Sequence, residues 1–199
     1  MGEYLRLLTI DDQDIPLASL QRAVPFCAVW PIDARGSTDH ELAIGPEPSS
    51  PDRIWAVVER DEVSPGTLGA DEIAEFLDNL DQGGPPSAIR WLRNYLGQVR
   101  TIYAIRLHPE AILEHPDAIR AIGIFRETLR ELLGGITEYD DFGFTNESDR
   151  LIWLIPKIVP KGTLDVAILD ESTGEWAPYS LDLSKSDQLS AFLRGEAPV

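Results

Sequence analysis

Residues 116–155 read PDAIRAIGIFRETLRELLGGITEYDDFGFTNESDRLIWLI, and this stretch decides the fold class. In its first half Ala118, Ile122, Phe125, Leu129 and Leu132 recur at spacings of four, three, four and three. One apolar stripe at that period predicts an amphipathic helix. Pro116 suits a first helical turn, where its missing N–H costs nothing, and Asp117 favours the positive end of the helix dipole. Arg120, Glu127, Arg130 and Glu131 fall mostly off the stripe. Gly123 weakens such a helix by roughly 1 kcal/mol relative to Ala, so close packing against another element is expected there. Gly134 and Gly135 stop it, because glycine readily takes the left-handed conformation found past a helix end.

Beyond the stop, Ile136 to Thr145 reads as one strand and Arg150 to Ile155 as a second. Asn146-Glu147-Ser148-Asp149 between them is turn chemistry. Leu151 to Ile155 is apolar throughout, as in a strand covered on both faces. Pro156 limits it, since proline cannot donate to a ladder.

Working outward, Tyr4 to Ile10 reads as a first strand, Leu17, Leu20 and Val24 as a short helix, and Phe26 to Trp30 as a buried strand. Residues 33–52 are rich in Gly, Ser, Pro and acid and read as a surface loop, with a short edge strand at Glu41 to Ile44. A strand at Arg53 to Val58 and an acidic helix at Asp71 to Leu80 follow. Gln82-Gly83-Gly84-Pro85-Pro86-Ser87 reads as a linker between an N-terminal α/β half, residues 1–81, and a C-terminal α+β half, residues 88–199, with one compact domain as the alternative, and Ser87 caps a helix from Ala88 to Val99. Thr101 to Leu107 is the next strand. Thr163 to Leu169 and Trp176 to Leu183 flank a turn at 170–174 and predict a hairpin. Ser184 with Asp187 predicts a capping box for a final helix, Lys185 to Arg194. The class is therefore α+β: a mixed, largely antiparallel sheet with helices packed on one face. Two ferredoxin-like βαββ-type halves would generate this order of elements.

The chain has 199 residues and a net charge of −17. That charge argues against non-specific nucleic-acid binding and against anionic membrane surfaces, since both need positive charge. It admits a basic protein partner. A single cysteine, Cys27, excludes an internal disulfide and points to a reducing cytoplasm. No run approaches the ~18 apolar residues of a membrane span.

Catalytic and metal signatures are sparse. Cys27 lies in an apolar run, where a thiol is inert. His40, His108 and His115 form no ligand pattern, and HExxH is absent. Asp140, Asp141, Asn146, Glu147 and Asp149 lack the alternation and terminal Glu of an EF-hand. There is no phosphate-binding glycine loop and no nucleophile elbow. Neither a metal nor a cofactor is expected.

One anomaly stands out. From Gln82 to Pro109 there is no acid, and Arg90, Arg93, Arg100 and Arg106 make the segment +4. Trp91, Tyr95 and Tyr103 are interleaved. Arginines at such spacing suit a phosphate or carboxylate, so Arg90, Arg93, Arg100, Arg106, Trp91 and Tyr95 are the candidate ligand-binding residues. The competing reading is that these arginines dock onto the protein's own acids, Asp71 to Asp81 for example. Two functions follow. The first is a non-catalytic interaction module, immunity- or adaptor-like, recognising a basic partner. The second is an anion or small-molecule binding domain, open to enzymatic use, built on residues 90–106.

Overall fold

Alternate side chains of a strand point to opposite faces, and the first strand shows what this sheet does with both. In β1 (Tyr4–Thr9), Leu7 enters one apolar cluster and Leu8 another, and both are fully buried. The computed structural model describes residues 4–32, 41–48, 53–140, 142–155 and 162–197. After β1 come α1 (Leu17–Ala23), β2 (Ala28–Pro31), β3 (Glu41–Gly45), β4 (Ala56–Glu62), α2 (Leu68–Asn79) and α3 (Pro86–Leu96). Then follow β5 (Thr101–Leu107), α4 (Pro109–Glu114), α5 (Pro116–Leu133), β6 (Ile136–Tyr139), β7 (Gly143–Thr145) and β8 (Leu151–Leu154). The hairpin β9 (Thr163–Asp170) and β10 (Glu175–Asp182) precedes α6 (Ser186–Arg194).

Among the described residues all the strands join one ten-stranded sheet in the order β10-β9-β8-β7-β6-β1-β5-β4-β3-β2. Pairing is antiparallel except between β8 and β9. The α+β class with a mixed, mostly antiparallel sheet is therefore observed. The helices were expected on one face and cover two. α1 and α5 pack with Leu7, Val58, Tyr103 and Ile105, whereas α2 and α3 pack with Leu8, Ile102 and Ala104. The reason is that the central strands are apolar on both sides, and each side must be covered. β1 pairs with β5 and with β6, so the N-terminal strand sits inside the C-terminal part of the sheet.

Several boundaries differ from expectation for local reasons. The stretch 136–145 is two strands, β6 and β7, with a tight turn between them. β3 pairs with β2 and with β4, so it is interior and β2 is the edge. The fourth strand starts at Ala56 rather than Arg53 and runs on to Glu62. α2 begins at Leu68, where Thr67 Oγ1 accepts from the Ala70 amide. α3 begins at Pro86, uncapped by any side chain, so Ser87 is inside the helix. The Ser184 hydroxyl donates to Asp182 instead of capping α6. In α5, Ala118, Ala121, Ile122, Phe125, Leu129 and Leu133 are buried, and Leu132 is 51% exposed. Gly123 points into open space, not against a neighbour. Most of the loop 33–52, with His40, and also Asp141 and Pro156 lie outside the described residues.

Two glycines explain close approaches. At Gly135, with φ +116°, a Cβ would lie 2.6 Å from the Leu8 carbonyl oxygen, so only glycine lets α5 turn directly into β6 beside β1. At Gly84, with φ +75°, a Cβ would strike the Trp153 indole at 2.3 Å. The Trp153 Nε1–H donates to the Leu80 carbonyl at 2.8 Å. The Gly-Pro stretch read as a linker is thus packed onto β8.

Cys27 is 7% exposed, and its thiol lies 3.7 Å from the Val24 carbonyl. Burial pushes the thiol up to about 11. Thiolate is then scarce at neutral pH, so a thiol reagent should label Cys27 slowly until the protein is denatured. Native labelling at the rate of free cysteine would contradict the burial.

Candidate functional site

The four arginines of the acid-free segment go to four different carboxylates. Arg90 on α3 pairs with Glu171 of the β9–β10 turn. Arg93, one turn on, reaches Asp81 at 2.7 Å. Arg100 lies 3.5 Å from Asp12, and Arg106 in β5 lies 3.6 Å from Glu59. Only Arg90 and Arg93 share an element. Trp91 stacks on Tyr95 with ring centres 5.0 Å apart and meets Trp176 of β10 edge-on. The Tyr95 hydroxyl is buried and donates to the Leu8 carbonyl at 3.2 Å, and burial raises its pKa. These aromatic rings hold α3 against the sheet and the last hairpin. The Arg90 and Arg93 pairs are exposed on both partners, from about half for Arg93 to 71% for Asp81. Exposed pairs of this kind contribute about 0–1 kcal/mol each.

The strongest charge cluster is elsewhere. Glu41, Glu59, Ala104, Arg6 and Glu138 are successive cross-strand partners on β3, β4, β5, β1 and β6. Cross-strand partners share a face, so these side chains form one row under α2. Helix α2 lays Glu72 on the row, 2.5 Å from Arg6 Nε. Arg6 Nη1 reaches Glu138 at 2.8 Å and Asp140 at 3.4 Å. The Arg6 side chain is 14% exposed and that of Glu138 is 9% exposed. One guanidinium therefore serves three carboxylates. Sequence reading missed this centre, although Arg6 is the one charge inside an otherwise apolar first strand.

Burial pushes the Glu138 carboxyl up to about 7, against the pull of Arg6, with Asp140 and Glu72 adding to the rise. Glu72 and Glu59 are also raised, each chiefly by burial. A carboxyl with a raised folded pKa binds its proton more tightly in the folded state. Its contribution to stability is present below the unfolded value near 4.5 and is lost as pH rises through about 7. The shift corresponds to a loss of up to about 3 kcal/mol. Urea unfolding between pH 5 and pH 8 should show this fall, and Glu138→Gln should flatten it. A parent whose stability rises across that window would contradict the assignment.

The acids continue outward on α2. Asp71, Glu75 and Asp78 are exposed, follow one another at helical spacing, and have no basic residue on their helix. None of the three forms an ion pair among the described residues. Of the residues weighed as a calcium loop, Asp140, Asn146 and Asp149 are engaged by the protein itself. Asp140 faces Arg6, Asp149 lies 2.7 Å from Arg126 of α5, and the Asn146 side chain accepts from the Ser148 and Arg150 amides. His115 packs against Trp55, and the His108 amide donates to the Trp55 carbonyl. Among the described residues no three His, Cys, Asp or Glu side chains are grouped as metal ligands. None of the described helices is long and apolar enough to cross a membrane.

Two clefts share Arg60 of β4. One, of about 410 Å³, is bordered by Asp12, Arg60, Glu62 and Arg100. The other, of about 460 Å³, lies between α1 and the sheet and is bordered by Asp14, Leu20, Leu42, Val58, Arg60 and Tyr103.

No protein-family model matches the chain, and neither a curated protein nor a solved structure was found to be similar to it.

Proposed function

We propose that the chain is an acidic, non-catalytic interaction module, immunity- or adaptor-like, that recognises a basic protein partner in the cytoplasm. The observation that carries this reading is the exposed stripe Asp71, Glu75 and Asp78 on α2, above the acid row of the sheet. Like charges at these spacings cost a helix a few tenths of a kcal/mol per pair. Asp71 meets the positive end of the helix, but Glu75 and Asp78 beyond it work against the helix unless something cationic meets them. Behind it, Glu72, Asp61, Glu59 and Glu41 extend the negative field, with repulsion among them adding to the raised carboxyl of Glu59. Such a field steers a cationic protein and makes its capture salt-dependent.

The rival, an anion site at Arg90 and Arg93, has to displace carboxylates already paired with both. The test is capture from an extract of the native host, at low and high salt. The parent should retain a basic protein at low salt and release it at high salt. Asp71→Asn with Glu75→Gln and Asp78→Asn should abolish capture, while Arg90→Gln with Arg93→Gln should leave it unchanged. Equal capture by the acid variant would reject the α2 surface. Loss confined to the arginine variant would move the site to α3.

A further inference from the structure

We propose that the cleft between α1 and the sheet binds a small amphipathic carboxylate, its head on Tyr103 and Arg60 and its apolar body against α1. Arg60 and Tyr103 are direct cross-strand partners on β4 and β5, so their side chains lie side by side on one sheet face. Tyr103 is 5% exposed, and its hydroxyl completes no hydrogen bond of normal geometry among the described residues. The same holds for Arg60 Nε, which is buried as well. Burial keeps the phenol protonated despite the neighbouring guanidinium, so it is a donor at neutral pH. A buried phenol donor without an acceptor is costly unless one enters, and the guanidinium beside it has only the exposed carboxylate of Asp14 against its Nε.

The cavity supplies the room, about 460 Å³, and Leu17, Leu20, Leu42 and Val58 supply an apolar wall. A few convergent polar groups in an apolar hollow are the ordinary layout of a small-molecule site. The ligand's charge follows from Asp14. Its carboxylate sits 3.3 Å from Arg60 Nε with 80% of the side chain exposed. The guanidinium thus already takes a carboxylate on this side, held by a loop acid free to swing into water. A ligand carboxylate placed there also reaches the Tyr103 hydroxyl, and a planar pair of oxygens matches the fork of an arginine. This site is separate from the α2 surface and does not depend on it.

The test uses the full chain and hexanoate, with hexanol, hexylammonium and inorganic phosphate as comparisons, followed by calorimetry and by ligand-observed saturation-transfer NMR. Hexanoate should bind in the millimolar range or tighter, with signal transfer along its chain. Tyr103→Phe should weaken it about tenfold, the value of one hydrogen bond to a charged acceptor. Asp14→Asn should tighten it, because the competing internal carboxylate is gone. That variant lies on an exposed loop and keeps the proposal testable if Tyr103→Phe folds poorly. No transfer to hexanoate at up to about 10 mM would overturn the proposal. Equal binding of hexanol, or binding of phosphate alone, would overturn it too.

Discussion

Arg6→Ala is expected to lower stability by about 3–5 kcal/mol, because removing one partner of a buried ionic cluster leaves the others uncompensated. Arg6 Nε and Nη1 hold Glu72, Glu138 and Asp140, which come from α2, β6 and the turn after β6. Without the guanidinium, three acids face one another in a mostly buried site. Glu138 already holds its proton up to about pH 7, and losing Arg6 would raise it further. Protonation then relieves the repulsion, so the cost of the substitution should be smaller at pH 5 than at pH 8. Adding Glu138→Gln to Arg6→Ala should recover part of the loss, which a double-mutant cycle in urea would read as coupling. An Arg6→Ala protein as stable as the parent at pH 8 would show that the cluster is solvated and carries little energy.

Phe125→Ala should cost a similar amount, about 3–5 kcal/mol, by opening a cavity under α5. Phe125 has no solvent exposure and shares its cluster with Leu7, Leu20, Ile105 and Leu129. In a chain of this size each kcal/mol moves the melting temperature by roughly 2–4 °C, so the change is easily read. Leu132→Ala is the companion measurement. Leu132 is 51% exposed, and its truncation should fall within about 0.5 kcal/mol of the parent. Equal losses at the two positions would mean that the face of α5 has been misplaced.

The pair Leu132 and Leu133 shows where periodicity stops being informative. Both are leucine and stand 100° apart on the helix. Rows of i+3 and i+4 diverge toward the end of a long helix, and the sequence pattern fits either. The position of the sheet settles it: Leu133 joins the cluster of Leu7 and Phe125 and Leu132 is left 51% exposed, while the Leu133 carbonyl accepts from the Thr9 hydroxyl at 3.0 Å and ties the helix end to β1. Strand ends behave similarly. Residues 136–145 are apolar enough to pass for one strand, because alternation reports which residues are half buried and not where the chain doubles back.

The candidate ligand residues were legible as an arginine segment in an acidic chain; of their partners only Asp81 lay in the acidic stretch, Asp71 to Asp81, that the sequence offered. Glu171, Asp81, Asp12 and Glu59 stand 81, 12, 88 and 47 positions from Arg90, Arg93, Arg100 and Arg106. Ion pairing at such separations depends on strand order, about which local pattern is silent. The Arg6 cluster is the same case, since it draws on residues 6, 72, 138 and 140.

The amino-acid sequence alone settles the α+β class, the long helix ended by paired glycines, the β9–β10 hairpin, a buried cysteine and the excess of acid. All of these rest on residue type and short-range spacing, where propensity and burial act within one element. The order of the ten strands, the covering of both faces, the gathering of three carboxylates on Arg6, and the meeting of Tyr103 with Arg60 beside a cleft belong to the tertiary structure. They arise from pairing between distant strands, whose register is chosen by the packing of the whole sheet.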